Sequence, residues 1–369
     1  MANARWIQEV SRESLKVAKR VVVKVGTRVA TRPDGTLAVG RLGHLMEELA
    51  ALQAEGLQVL LVSSGAIGVG ARRLGLPAQP KDLRDRQAAA TAGQAGLMSF
   101  YDELGRRLGL RTAQVLLIEA DFHSRRRYRN LSENLGHLLE LGALPVINEN
   151  DSVSTAGLDP ERERVFGDND RLAALVASAM SADVLILLSD VPGVLHEGEV
   201  LERWDPSLDL DLFGKSVGGT GGMQAKVDSA LVSSAAGVAC VIASGFEPGV
   251  IRQILSGAPT GTSFPPAPQG NRRRRWLAYA TAPRCWVQVN EGAASALNTH
   301  RASLLAVGVT QVFGEFPAGE AIAIHGPQGQ VLAHGIAGCG ASEMRDKLGE
   351  SGHRPLIHRD DVVLLPETP

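Results

Sequence analysis

Between residues 20 and 62 two short aliphatic runs enclose one stretch of helical periodicity, and few folds accept that alternation. Val21-Val22-Val23-Lys24-Val25 stops at Gly26, and Gln58-Val59-Leu60-Leu61-Val62 stops before Ser63-Ser64-Gly65. Runs this short and this apolar predict buried strands. Between them Leu42, Leu45, Met46, Leu49 and Leu52 recur at helical spacing, which gives one apolar face able to pack on a sheet. The theme repeats with strands predicted at Gln114 to Ile118, Leu144 to Ile147 and Val184 to Leu188, and helices at Leu131 to Leu141 and Leu172 to Met180. A helix from Lys226 to Ala236 and a strand from Val238 to Ala243 close the series. Such alternation implies an α/β fold, a mainly parallel sheet sandwiched by helices.

Near Gly257 the texture changes. Pro259, Pro265, Pro266 and Pro268 stand among small residues, a composition that can neither hold a helix nor pair as a central strand. The chain is therefore divided into residues 1–258, a Pro/Arg-rich linker over 259–275 ending in Arg272-Arg273-Arg274-Arg275, and residues 276–369. In the last segment Trp286 to Val289, Val309 to Phe313, Ala321 to Ile324 and Val362 to Leu365 are strand-like and punctuated by glycine, which predicts a small β-rich domain. A length of 369 residues suits two domains better than a single core.

Charge and cysteine usage narrow the function. With 38 basic and 40 acidic side chains nothing global favours a nucleic-acid or membrane surface, so small-molecule chemistry is expected. Cys240, Cys285 and Cys339 are widely spaced, with no pair at metal-ligand spacing and an odd total, so neither a zinc site nor a disulfide framework is expected, which fits a reducing cytoplasm. The segment Arg5 to Arg20 is polar and charged, and no run reaches the roughly 20 apolar residues that a membrane span requires.

In an open parallel sheet ligands bind beyond the carboxyl ends of the strands, and the residues found there share a character. Lys24-Val25-Gly26-Thr27, Ser63-Ser64-Gly65-Ala66-Ile67-Gly68, Asn148-Glu149-Asn150-Asp151 and Ser189-Asp190 all follow or end predicted strands. Lys24 lies in an otherwise apolar run, where an ammonium needs an anionic partner unless its stem reaches solvent. Ser63-Ser64-Gly65 reads as a hydroxyl and amide cradle for an anion or as a plain capped turn. Asn148 to Asp151 and Gly167-Asp168-Asn169-Asp170 are dense in acids and amides, suited to gripping an amino group or to surface capping. Gly219-Thr220-Gly221-Gly222-Met223-Gln224-Ala225-Lys226 places glycines, a helix entrance and a lysine together, a polyphosphate-binding chemistry that an ordinary loop can also mimic. No Gly-x-x-x-x-Gly-Lys-Ser/Thr sequence and no His-Arg-Asp loop exists, so an ATP-using enzyme here belongs to neither of those classes.

Taken in order, the lysine strand, Ser-Ser-Gly-Ala-Ile, Asn-Glu-Asn-Asp, Gly-Asp-Asn-Asp, Ser-Asp and Thr-Gly-Gly-Met-x-x-Lys resemble the amino acid kinase family over roughly residues 20 to 245. Residues Trp276-Leu277-Ala278-Tyr279-Ala280, Glu291 to Leu297 and Ile357-His358-Arg359-Asp360 resemble a PUA domain, a small β-rich pseudo-barrel. The resemblance implies transfer of the ATP γ-phosphoryl group to the side-chain carboxylate of L-glutamate, giving L-glutamyl 5-phosphate, the first step towards proline. It implies that Lys24 and Lys226 neutralise the phosphoryl oxygens and that Asp170 organises both lysines. Ser64, Gly65, Ala66, Asp151 and Asn169 match its glutamate-binding positions. Lys24, Ser189, Asp190, Thr220, Gly221, Gly222, Met223, Gln224, Ala225 and Lys226 match its nucleotide-binding ones. It further implies Mg2+ carried with ATP and no protein metal site, proline as feedback inhibitor, a homo-oligomeric dimer or tetramer, and a cytoplasmic location.

The chain departs from the family pattern in places. Gly157 to Val165 is longer than the usual loop, Val191 to His196 replaces a more polar nucleotide-side segment, and Ala337-Gly338-Cys339-Gly340-Ala341-Ser342 stands where an Asn-Tyr-Ser-Ser-like stretch is common. From Trp276 to Pro369, 6 basic against 9 acidic residues leave a net charge of −3, which disfavours RNA binding by the terminal domain. A sister kinase acting on N-acetylglutamate, aspartate or a nucleotide monophosphate, and an RNA-binding protein led by its terminal domain, are the alternatives.

Overall fold

A computed structural model describes residues 12–123, 125–153, 169–205, 207–208, 222–267, 283, 285–300, 302–350 and 354–364. The chain divides into two compact units, residues 1–119 with 132–269 and residues 120–131 with 270–369. The first unit is built on a seven-stranded sheet. Its strands are β1 (Arg20–Val25), β2 (Gln58–Val62), β3 (Arg111–Leu117), β4 (Ala143–Glu149), β5 (Val184–Ser189), β8 (Ala239–Ser244) and β9 (Thr262–Phe264). Two further short strands, β6 (Leu195–His196) and β7 (Glu199–Val200), pair only with each other.

In the large sheet the order is β3-β4-β2-β1-β5-β8-β9, parallel throughout except for the antiparallel edge pair β8/β9. The mainly parallel sheet is the expected one. Strand β9, however, lies inside the stretch read as linker. Edge pairing tolerates the prolines that follow it, because an edge strand leaves one row of backbone groups unpaired. Arg12 anchors the same stretch by donating to the carbonyls of Glu202, Ala258, Thr260 and Gly261 at 2.6 to 2.8 Å.

Side-chain alternation then decides which face each strand residue serves. Val21, Val23 and Val25 join one core with α2 (Val39–Ala54), through Leu42, Leu45, Met46, Leu49 and Leu52, and with α9 (Val250–Leu255). Lys24, one residue out of step with Val23 and Val25, therefore belongs to the other face. There α7 (Asn169–Met180) packs against the sheet and against α8 (Met223–Ala235). Helix α7 is buried at Asp170 and from Leu172 to Met180, the pattern of a helix that is apolar nearly all round beyond its first turn, while Arg171 stays partly exposed.

Helices α3 (Ala66–Leu74) and α4 (Leu83–Leu108) lie between β2 and β3 and were not visible as periodic segments. At their closest approach the contacts are made by glycine and alanine rather than by large side chains. A Cβ on Gly70 would stand 1.7 Å from the Ala89 carbonyl oxygen, and one on Gly93 would stand 1.9 Å from that of Ala66. Backbone thus touches backbone, a packing that hydrophobic periodicity does not register. Cap chemistry marks α4 instead: the Asp82 carboxylate accepts from the N–H groups of Arg84 and Asp85 at 2.9 and 3.2 Å, and Gly109 ends the helix at φ 74°.

The second unit carries α5 (Ala120–His123), the start of α6 (Arg125–Glu140) and a five-stranded sheet. That sheet is ordered β11-β10-β12-β13-β14, from β10 (Trp286–Val289), β11 (Val309–Phe313), β12 (Ala321–His325), β13 (Val331–Ile336) and β14 (Val362–Leu364). Four of these strands coincide with the predicted runs, and β13 is additional. Its own core gathers Val287, Val289, Leu297, Ile322, Ile324, Met344 and Ile357. Among the described residues no helix is long and apolar enough to cross a membrane.

Candidate active site

The carboxyl ends of β1, β2, β4 and β5 carry the polar residues, as the parallel order requires. Strand β1 supplies Lys24 from the face shared with α7, and the first turn of α7 meets it with Asp170. Lys24 Nζ lies 2.5 Å from Asp170 Oδ1, and Lys226 Nζ, from the first turn of α8, lies 2.9 Å from Asp170 Oδ2. One carboxylate therefore serves two lysines. Asp170 and Lys24 are 1% and 3% exposed, whereas Lys226 is 12% exposed and keeps more contact with solvent. A Cβ at Gly26 would come within 3.1 Å of the Leu188 carbonyl oxygen and 3.8 Å of Lys24 Nζ, so glycine keeps the space beside the ammonium open.

Next to Asp170 in the chain, Asn169 turns to the loop after β2. Its Nδ2 donates to the Ser63 carbonyl at 2.7 Å, to Ser64 Oγ at 3.0 Å and to Asn148 Oδ1 at 2.8 Å. Gly65, at φ 105°, opens α3 in a conformation that suits glycine, and a Cβ there would press on Thr31 Cγ2 at 2.9 Å. Ala66 is buried with its carbonyl against Gly93. Ser63 Oγ and the fully buried Tyr101 hydroxyl are 2.8 Å apart. Burial outweighs this hydrogen bond and pushes the Tyr101 phenol up to about 12, so it remains protonated.

Asp151 follows β4 in a turn and is half-buried. Desolvation pushes its carboxyl above the ordinary value of 3.8, against the opposing pull of the Arg86 charge. At the end of β5, Ser189 Oγ donates to Asp190 Oδ1 at 3.1 Å, and Arg28 from α1 (Thr27–Ala30) forms an ion pair with Asp190. Burial raises the Asp190 carboxyl, but Arg28, the backbone and Ser189 together outweigh it and hold the group below its usual value.

The structure thus brings Lys24, Asp170 and Lys226 into one cluster, joins Ser64 and Asn169 in a second, and pairs Asp190 with Arg28 beside Ser189. Gly222 precedes α8 as its N-cap, and Met223 begins the helix. Gln224 Nε2 donates to Asp228 Oδ1 at 2.8 Å along the same helix, and the Ala225 carbonyl accepts from Ser229 Oγ at 2.8 Å. Thr220 and Gly221, with Gly167, Asp168, the segment 157–165 and Trp276 to Ala280, lie outside the described residues. Sequence reasoning missed Arg28, Arg86, Gln94 and Tyr101. Arg86, Gln94 and Tyr101 sit on α4, where a polar or aromatic residue in a helix gives no local sign of what it faces.

Among the described residues no three His, Cys, Asp or Glu side chains converge to hold a metal ion. The central carboxylate, Asp170, is committed to two ammonium groups. This donor set does not make a magnesium site.

Residues 19–244 match the amino acid kinase family and residues 286–355 match the PUA domain. A glutamate 5-kinase of Synechococcus sp. is 40% identical over 94% of this chain and 98% of its own length. Those of Thermobifida fusca and Myxococcus xanthus are also 40% identical, each over 96% of this chain, covering 95% and 98% of their own lengths.

Proposed function

This chain belongs to the amino acid kinase family, and from that membership we propose that it transfers the ATP γ-phosphoryl group to the side-chain carboxylate of L-glutamate, giving L-glutamyl 5-phosphate. The observation that carries the reading is Asp170 held between Lys24 and Lys226 beside the Asn169–Ser64 contact. Its near full-length likeness to glutamate 5-kinases supports the choice of substrate.

The chemistry follows from charge. The attacking carboxylate is already an anion and needs no general base, so catalysis reduces to alignment and to relief of repulsion between two anions. Lys24 and Lys226 neutralise the phosphoryl oxygens while Asp170 fixes both ammonium groups, leaving the cluster one net positive charge. Because the lysines are already oriented, they need not reorganise as charge moves in the transition state. Ser64, Gly65, Ala66, Asp151 and Asn169 hold glutamate. Ser189, Asp190 and the residues Thr220 to Lys226 hold the nucleotide, with the N–H groups of the first turn of α8 available to phosphate. Magnesium arrives on the ATP phosphates rather than in a protein cage.

By the same reading residues 1–258 together with strand β9 belong to the catalytic domain and residues 276–369 to the PUA-like one, so only the part of 259–275 beyond β9 serves as linker. The enzyme works in the cytoplasm as a dimer or tetramer, and proline inhibits at or near the glutamate site. The test of the reaction is a glutamate-dependent ATP assay in which hydroxylamine traps the acyl phosphate as a hydroxamate. ATP consumption with N-acetylglutamate but not glutamate, or no hydroxamate, would overturn it.

Asp151 adds a pH signature. Below its pKa the carboxyl is neutral and cannot hold the glutamate ammonium, so kcat/KM for glutamate falls as pH falls through that raised value. The γ-carboxyl of glutamate itself titrates near about 4.3 in every variant, so movement of the acid limb is the diagnostic. Arg86→Met removes the charge that holds Asp151 down, and the acid limb is expected to move upward. An unmoved limb would take Asp151 out of the ammonium site.

A further inference from the structure

Helix α4 reaches the glutamate side of the site at three successive levels. Gly93 meets α3 at the Ala66 carbonyl, Tyr101 meets Ser63, and Gln94 Oε1 accepts from Asn148 Nδ2 at 2.8 Å. The last contact starts a chain of side-chain amides. Asn148 Oδ1 accepts from Asn169 Nδ2 at 2.8 Å and from the Glu149 N–H at 2.9 Å. Asn169 Nδ2 also serves the Ser63 carbonyl and Ser64 Oγ, so both of its hydrogens are committed to three acceptors. Its Oδ1 has no partner among the described residues.

We infer that Gln94 is a positioning residue: through Asn148 it locks Asn169 with its amide nitrogen turned inward and its carbonyl oxygen left for the substrate, so that the site accepts a hydrogen bond from a free α-ammonium group. The inference rests on the glutamate reading above and deepens it. Asn148 is 3% exposed, so without the Gln94 oxygen its Nδ2 is a buried donor lacking an acceptor. Rotating Asn148 to find another partner relieves that penalty and withdraws one of the three acceptors that hold Asn169. The Lys24–Asp170–Lys226 cluster does not pass through Gln94, which separates substrate affinity from the chemical step.

The experiment compares wild type, Gln94→Met and Gln94→Glu, with glutarate, which lacks the amino group, as a competitive inhibitor. Met matches the length of Gln and offers only a weakly accepting thioether, whereas the Glu carboxylate can still accept from Asn148. Gln94→Met is expected to raise KM for glutamate about 10-fold, with kcat and KM for ATP changed less than about 2-fold, the loss of one buried hydrogen bond. The glutarate Ki stays near its wild-type value, so the preference for glutamate over glutarate shrinks by the same factor, and Gln94→Glu retains it. If the Met variant is not recovered folded, Gln94→Ala takes its place with the same expected direction. A preference unchanged in the Met or Ala variant, or lost equally in Gln94→Glu, overturns the inference. Absence of glutamate turnover in wild type would instead overturn the proposed reaction.

Discussion

Asp170→Asn is expected to cost about 3–5 kcal/mol of stability at neutral pH, the range for leaving a buried charge without its partner. Turnover should fall at least as far as the roughly 100-fold that follows loss of one preorganised charged group. Both effects have one cause. Asp170 is 1% exposed and touches Lys24 and Lys226 through different oxygens. An amide offers one acceptor oxygen, turns an NH2 towards the second lysine, and leaves two ammonium groups repelling each other. The anion-binding charge of the cluster rises, so KM for ATP should hold steady or fall while kcat collapses. Lys226→Ala provides the contrast: turnover again falls roughly 100-fold, but stability changes little, because Asp170 keeps Lys24 and Lys226 is the more exposed partner. Denaturant unfolding beside steady-state kinetics checks both. Equal stability of Asp170→Asn and wild type would show that Lys24 does not depend on this carboxylate.

Gly93→Ala is expected to destabilise the first unit by about 3 kcal/mol, at the upper end of what overpacking one methyl costs. The new Cβ would fall 1.9 Å from the Ala66 carbonyl oxygen, and that obstacle is backbone, which cannot rotate aside. Helix α3 has to move away from α4, carrying with it the Ser63-Ser64-Gly65 loop that precedes it. The surviving folded protein should therefore show a raised KM for glutamate. Gly136→Ala in α6 serves as the control, since a Cβ there meets nothing within 4 Å. It should stabilise by roughly 0.5–1 kcal/mol, the usual helix-interior gain over glycine. Thermal unfolding of the two variants distinguishes a steric cause from a general intolerance of helix substitution.

The strands that carry the site were legible because each is an aliphatic run ending in glycine, serine or acid. Val21 to Val25 and Val184 to Leu188 required nothing beyond periodicity and composition, and their ends located Lys24, Ser189 and Asp190. Helices α3 and α4 were hidden for the converse reason. Their shared surface is built from Ala66, Gly70, Ala89 and Gly93, small residues whose value lies in letting backbones touch, and no apolar stripe records it. Strand β9 was obscured by the prolines after it, although an edge position tolerates them.

Sequence alone determined that Lys24 stands out of phase with Val23 and Val25, and hence on the opposite sheet face, because side-chain alternation along a strand is a local property. It also determined that acids, amides and hydroxyls gather beyond strand ends. Which of them meet was decided only by the tertiary structure. Strand order sets β1 between β2 and β5, and the packing of α7 against α8 carries Asp170 to two lysines 202 positions apart in the chain, Lys24 and Lys226. Likewise the glycine-to-backbone contact of α3 with α4 positions Gln94 to reach Asn148. The physical reason is that periodicity reports how a segment faces its own neighbours, whereas convergence of segments depends on strand order and on how closely helices can approach.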